Sequence, residues 1–223
     1  MVPNAARQRV TGQVLGLGQE RSQAALRELL AASERRNTPL DAVLLVGCAG
    51  GLDPNLRPGD LVVPARYRHP LRDPLEPDPG LLEQALEAAG SAGLRIHRGD
   101  SLTVDRLVAG APEKLELGRR HAAAIVDLED YWVAEVCAQA GVPFLAARAV
   151  LDPARQTLPD YLMTLADHEA RVLGRALFQP WCLPTLLGLG VQLRAAQRSL
   201  TRLAAALVEY RGAEREDLTV APP

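Results

Sequence analysis

Two carboxylates in this 223-residue chain stand just past short apolar runs. Glu129 follows Ile125-Val126-Asp127-Leu128, and Asp152 follows Ala147-Arg148-Ala149-Val150-Leu151. Carboxylates at the carboxyl ends of parallel strands converge on one crevice. Such a pair can accept hydrogen bonds from sugar hydroxyls and supply a general acid. Taken singly, each reads better as local structure: Glu129 or Asp130 as the cap of a helix opening at Tyr131, and Asp152 as the start of a turn before Pro153. A third stretch, Asp41–Pro64, places two apolar runs, Ala42–Val46 and Leu61–Val63, around Gly47-Cys48-Ala49-Gly50-Gly51. A glycine-rich turn at a buried strand end is either a ligand loop or a plain tight turn, and this stretch alone favours neither.

The elements that must position these groups follow from patterning. Short Val- and Leu-rich runs predict buried strands at Ala42–Val46, Leu61–Val63, Ala123–Asp127 and Phe144–Leu151, with another at Leu94–His97 ending at Gly99-Asp100. Arg9–Leu17 reads as a strand leading into Gly16-Leu17-Gly18. A dinucleotide fingerprint would need a third glycine where Arg21 stands, so a strand-to-helix turn is the better reading. Helices are predicted over Glu20–Glu34, Leu81–Ala92, Pro112–Arg120 and Tyr131–Ala140, the last stopped by Gly141. Arg66–Pro79 reads as a surface loop. Strands alternating with helices imply a three-layer α/β/α fold with a mixed, mostly parallel sheet.

The tail differs. A helix over Asp160–Phe178 is broken by Pro180 and Pro184 from an amphipathic helix over Thr185–Tyr210. The expected organisation is a domain over residues 1–178, a helical extension over 179–211 and a disordered tail over 212–223. The amphipathic helix is read first as packed on the domain or on a second subunit. The alternative is a helix lying on a membrane surface, helped by Phe178 and Trp181.

Composition narrows the class. With 48% hydrophobic residues the chain can bury a sizeable single core. A net charge of −2 gives no general electrostatic case for binding nucleic acid. Lys114 is the only lysine, read as coding bias before mechanism. Cys48, Cys137 and Cys182 are odd in number and form no CxxC pair, which argues against a disulfide framework or a zinc site and suits a reducing cytoplasm. No metal is expected. Met1–Arg9 lacks the apolar core of a leader, and no apolar run reaches the ~20 residues of a membrane span. A cytoplasmic protein, with peripheral membrane contact through its last helix as the variant, is the expectation.

Three stretches in order carry more weight than any one. Gly47-Cys-Ala-Gly-Gly-Leu with Gly59-Asp60-Leu-Val-Val, then Val126-Asp127-Leu128-Glu129, then Pro143-Phe144-Leu145 with Arg148-Ala149-Val150-Leu151-Asp152, resemble the nucleoside phosphorylase and methylthioadenosine/adenosylhomocysteine nucleosidase superfamily. The resemblance spans Val10 to Leu158. Leu102–Val108, Glu113-Lys114, Asp152-Pro153-Ala154, Leu158-Pro159 and the Arg- and Leu-rich tail are similar to a hopanoid-associated branch, which is associated with removing adenine from an adenosyl-hopane lipid.

The resemblance implies cleavage of a purine N-glycosidic bond by water or phosphate, with no cofactor, in a self-associating protein. Asp152 matches the aspartate that protonates or hydrogen-bonds purine N7, and Glu129 the glutamate that accepts from the ribose hydroxyls. Leu128 stands for the methionine under the sugar. Cys48, Ala49 and Gly50 would line the ribose and nucleophile side, Leu102 and Thr103 the base, and Gly47 and Arg148 are the phosphate candidates. Three departures go with it. Tyr131-Trp132 is bulkier than the small residues usual after the glutamate. Leu151 stands where serine usually precedes the aspartate. Val10–Gly18 aligns with the family's second strand, so the element that handles the nucleophile is expected to be missing. The competing expectations are a nucleoside-binding protein without turnover and, on the incomplete Gly16–Gly18 pattern, a dinucleotide oxidoreductase.

Overall fold

The computed structural model describes residues 10–159 and 183–217. In chain order the elements are α1 (Gln19–Arg35), β1 (Val43–Gly51), β2 (Leu61–His69), β3 (Arg72–Leu75), α2 (Pro79–Ser91), β4 (Ile96–Thr103), α3 (Ala111–His121), β5 (Ala123–Asp127), α4 (Asp130–Ala140), β6 (Phe144–Asp152) and α5 (Leu183–Asp217). The sheet runs β3-β2-β4-β5-β1-β6, and β2 also pairs with β6, so five strands close on themselves. β1–β6, β2–β4 and β4–β5 are parallel; β1–β5, β2–β3 and β2–β6 are antiparallel. The expected mixed sheet between helical layers is therefore present.

β6 shows why. Its residues alternate between two apolar environments, as a strand covered on both faces must. Leu145, Ala147 and Ala149 join Ala85, Ala88 and Ala89 of α2 and Ala196, Leu203 and Leu207 of α5 in one cluster. Phe144 and Ala146 join Leu26 of α1 and Tyr131, Trp132, Val133 and Val136 of α4 in the other. The last helix is thus packed on the domain, the first of the two readings of its amphipathic face.

Several expected boundaries move. Residues 10–18 run irregularly into α1 instead of forming a strand. Gly16 and Gly18 take φ of 79° and 84°, outside strand geometry, and Val10, Val14 and Leu17 are exposed. β4 does not stop at Gly99-Asp100. Gly99 lies in the ladder opposite Pro64, and a Cβ there would meet that of Ala124 at 2.5 Å, so the glycine permits close strand approach. The expected loop at Arg66–Pro79 holds the end of β2 and the edge strand β3. Pro74 is tolerated on an edge, and the Tyr131 hydroxyl donates to the Asp73 carbonyl at 3.1 Å.

α5 carries Pro184 in its first turn, where the missing N–H costs nothing. It runs past Tyr210 into the stretch expected to be disordered, because Ala213-Glu214-Arg215-Glu216 are strong helix formers. The expected helix at Asp160–Phe178, with Trp181 and Cys182, and residues 218–223 lie outside the described residues. Among the described residues, no helix is long and apolar enough to cross a membrane, and no cluster of His, Cys, Asp and Glu could hold a metal.

Candidate active site

The parallel pairing of β1 and β6 brings the glycine-rich segment to Asp152. Val43 to Ala49 pair in step with Phe144 to Val150, then the register shifts and Gly50 pairs with Asp152. Leu151 is the extra residue of this bulge, and bulges re-aim the side chain that follows. The position where serine was expected is therefore a bulge. A Cβ on Gly50 would lie 3.5 and 3.7 Å from the two Asp152 carboxylate oxygens, so the bare glycine keeps space in front of them.

The other glycines serve the protein itself. A Cβ on Gly47 would overlap the Arg148 guanidinium, and one on Gly51 would sit 3.3 Å from Ala154 N and Pro153 Cα. Gly47, expected beside phosphate, thus makes room for Arg148. Gly47→Ala is expected to lose about 1–3 kcal/mol in urea denaturation, because the arginine it meets is pinned and buried. An unchanged midpoint would mean that the guanidinium moves freely.

Glu129 opens α4 without capping it. The cap is made by two other side chains. Asp127 Oδ1 accepts the Glu129 and Asp130 N–H groups at 2.9 and 2.7 Å, and Thr103 Oγ1 accepts the Tyr131 N–H at 2.9 Å while donating to Asp127 Oδ1. The Glu129 carboxylate is left for other partners: its Oε1 accepts the Gly18 N–H at 3.0 Å and its Oε2 meets Arg148 at 3.3 Å. Burial raises its pKa, with Arg148 and the Gly18 N–H pulling the other way.

Arg148 is 4% exposed. Its Nε donates to Asp130 Oδ1 at 2.8 Å, its Nη2 lies 2.7 Å from the same oxygen, and its Nη1 reaches the Cys48 carbonyl at 3.5 Å. The guanidinium, expected as a phosphate candidate, is engaged by protein acceptors on every nitrogen. Burial lifts the Cys48 thiol's pKa, so it is not a poised thiolate.

Asp152 is 4% exposed and its Oδ2 is paired with the ammonium of Lys114, which is fully buried. Burial raises the Asp152 pKa, partly offset by Lys114. Of the remaining expected site residues, Leu128 is half-buried, Ala49 packs with Leu56, Val62, Ile125 and Val150, and Leu102 packs with Leu52, Val108 and Val126. Thr103 is buried, its hydroxyl committed to the α4 cap.

The description Phosphorylase superfamily fits residues 5–177 as a family model. The chain belongs to that superfamily. It is 28% identical over 153 residues, 59% of this chain and 66% of the relative, to 5'-methylthioadenosine/S-adenosylhomocysteine nucleosidase of Halalkalibacterium halodurans. It is 30% identical over 164 residues, 60% of this chain and 66% of the relative, to the protein of that name from Geobacillus kaustophilus. The chain therefore spans just under two thirds of the length of these relatives. Among solved structures, the fold matches futalosine hydrolase of Helicobacter pylori (TM-score 0.65, 19% identity, 86% of this chain and 76% of that one). It also matches the Neisseria meningitidis 5'-methylthioadenosine/S-adenosylhomocysteine nucleosidase in complex with methylthio-immucillin-A (TM-score 0.64, 22% identity, 87% and 78%).

For this Phosphorylase-superfamily chain, sequence reasoning passed over five contributors. Asp127 as an α4 cap could have been found from the spacing, since an aspartate three residues before a helix's first turn is a local N–H acceptor, whereas Thr103 lies 28 residues from the Tyr131 N–H that it accepts. The Gly18 N–H on Glu129, Asp130 on Arg148 and Lys114 on Asp152 join residues far apart in sequence, and nothing local announces them.

Proposed function

We propose that this chain cleaves the N-glycosidic bond of a purine nucleoside. The reading is carried by one observation: Glu129, just past β5, and Asp152, at the end of β6 beside Gly50, are each held by a buried cation, Arg148 and Lys114, and Glu129 makes no cap of its own helix. Glu129, held by Arg148 and the Gly18 N–H, suits the ribose hydroxyls. Asp152, with its pKa raised by burial, suits a general acid at the departing base. The names of the curated relatives support a 5'-substituted adenosine as substrate, and the tail's resemblance supports an adenosyl-lipid within the same class. Full engagement of Arg148 by carboxylates and a carbonyl supports water over phosphate as the nucleophile. Self-association, and membrane contact along the exposed Leu187, Val191, Arg194 and Arg198 of α5, are the corresponding partner proposals.

Adenine release from methylthioadenosine, adenosine and an adenosyl-lipid, each with and without phosphate, tests the reading. Release without phosphate is the expected result. Saturable nucleoside binding in calorimetry with no release from any of the three would leave a binding protein in its place. Size-exclusion chromatography and flotation with anionic vesicles test the two partner proposals.

A further inference from the structure

Lys114 is the only lysine among 25 basic side chains. It lies on α3 and is 0% exposed. Lysines are almost never fully buried without a partner. Its ammonium has three donors and three acceptors around it: Asp152 Oδ2, the Gln156 carbonyl at 2.8 Å and the Pro153 carbonyl at 3.5 Å. A compact ammonium can satisfy three acceptors from one point, whereas a planar guanidinium presents a wider fork. The loop that supplies the two carbonyls is tied down from the far side, where the Gln156 side-chain amide pairs with that of Gln192 on α5 at 2.9 Å.

Other groups around Asp152 do not compete with this cation. Cys48 on β1 feels the Asp152 charge, and its thiol is held neutral by burial. Gln192 and Gln156 are uncharged, and Gly50 presents no side chain. Among the described residues, Lys114 is the only basic group paired with Asp152.

We infer that Lys114 is a positioning residue. By pairing with Asp152 Oδ2, it fixes the orientation of the carboxylate beside Gly50 and sets the pH at which the carboxyl carries its proton. The turnover arm of this inference rests on the proposed nucleosidase reading; the titration arm does not. An anion paired to a buried cation gives up its proton at lower pH than the same anion unpaired. With Lys114 neutralised, the desolvated carboxyl is left without its opposing charge and must hold its proton to higher pH.

The test is carbon-13 NMR of the carboxyl groups in the full chain, with Asp152 assigned by the signal lost in Asp152→Asn. Lys114→Met is expected to raise the Asp152 titration midpoint by about one unit or more. Lys114→Arg, which keeps the charge, is expected to restore most of the difference. If Lys114→Met does not fold, Lys114→Gln, which keeps a neutral donor, is expected to give the same upward shift. An unchanged or lowered midpoint in the neutral variant that folds overturns the inference. The pH profile of adenine release separates the two claims. An alkaline limb that moves with the NMR midpoint supports both. A moved midpoint with an unmoved limb supports the role of Lys114 and removes Asp152 as the acid.

Discussion

Asp152→Asn is expected to lower adenine release by about 10²- to 10⁴-fold, the range that general acid catalysis contributes. Nucleoside affinity is expected to change far less. The asparagine keeps a carbonyl oxygen that Lys114 can still donate to, and the ammonium retains the Gln156 carbonyl at 2.8 Å, so the site keeps its shape. What is lost is a proton that moves to the base as the glycosidic bond breaks. The wild-type pH profile carries the same argument. Burial raises the Asp152 pKa despite Lys114, so the carboxyl keeps its proton to higher pH than an exposed aspartate. Release should hold toward low pH and fall as pH rises through the folded pKa. Single-turnover kinetics on Asp152→Asn, with calorimetric binding of the same nucleoside, separates the two effects. A variant that turns over at the wild-type rate would leave the carboxyl with no acid role, whatever its position.

The sheet and the order of its elements were legible because buried strands announce themselves. Phe144–Leu151 and Ala123–Asp127 are short apolar runs ended by polar residues, and the structure extends the first by one residue and keeps the second. Where a strand departs from that pattern, the reading failed. Gly99-Asp100 looks like a terminus and lies inside β4, because the signal was a missing side chain needed for the approach of Ala124. Arg9–Leu17 looks like a strand, yet Gly16 within it and Gly18 just after it have positive φ. Within the candidate site, Glu129 and Asp152 were visible from their places after strands. Their cations were not. Lys114 is 38 positions from Asp152 and Arg148 is 19 from Glu129, and no periodicity links a helix residue to a strand end across the sheet. The glycines after β1 show the complementary error: small residues suggest room for a ligand, while Gly47 gives its room to Arg148.

Arg148→Met is expected to destabilise the fold by about 3–5 kcal/mol, the cost of leaving buried charges without their partner. The reason lies in the count of charges it faces. Asp127, Glu129 and Asp130 are all buried within its reach, and the Asp130 carboxylate is 0% exposed. Among the described residues one cation stands against three carboxyl groups, and Asp127 Oδ2 and Asp130 Oδ2 have no hydrogen-bond partner. Burial pushes the Asp130 pKa from 3.8 up to about 8, with Arg148 pulling against it. The sign of the pH effect follows. A carboxyl whose folded pKa lies above its unfolded one binds more protons when folded, so native stability falls as pH rises from about 4 to about 8. Without Arg148 the Asp130 carboxyl holds its proton to still higher pH. The deficit of the variant should therefore be smaller at pH 5, where the folded Asp130 carboxyl is neutral in both proteins, than at pH 9, where the wild type carries a charge paired with Arg148. Urea denaturation of both proteins at the two pH values measures this directly. Equal deficits at both would mean that the methionine fails by packing alone. Adding Asp130→Asn to the variant should recover part of the loss at pH 9 and little at pH 5, because it removes a carboxyl that the fold must keep protonated against the solvent only at the higher pH.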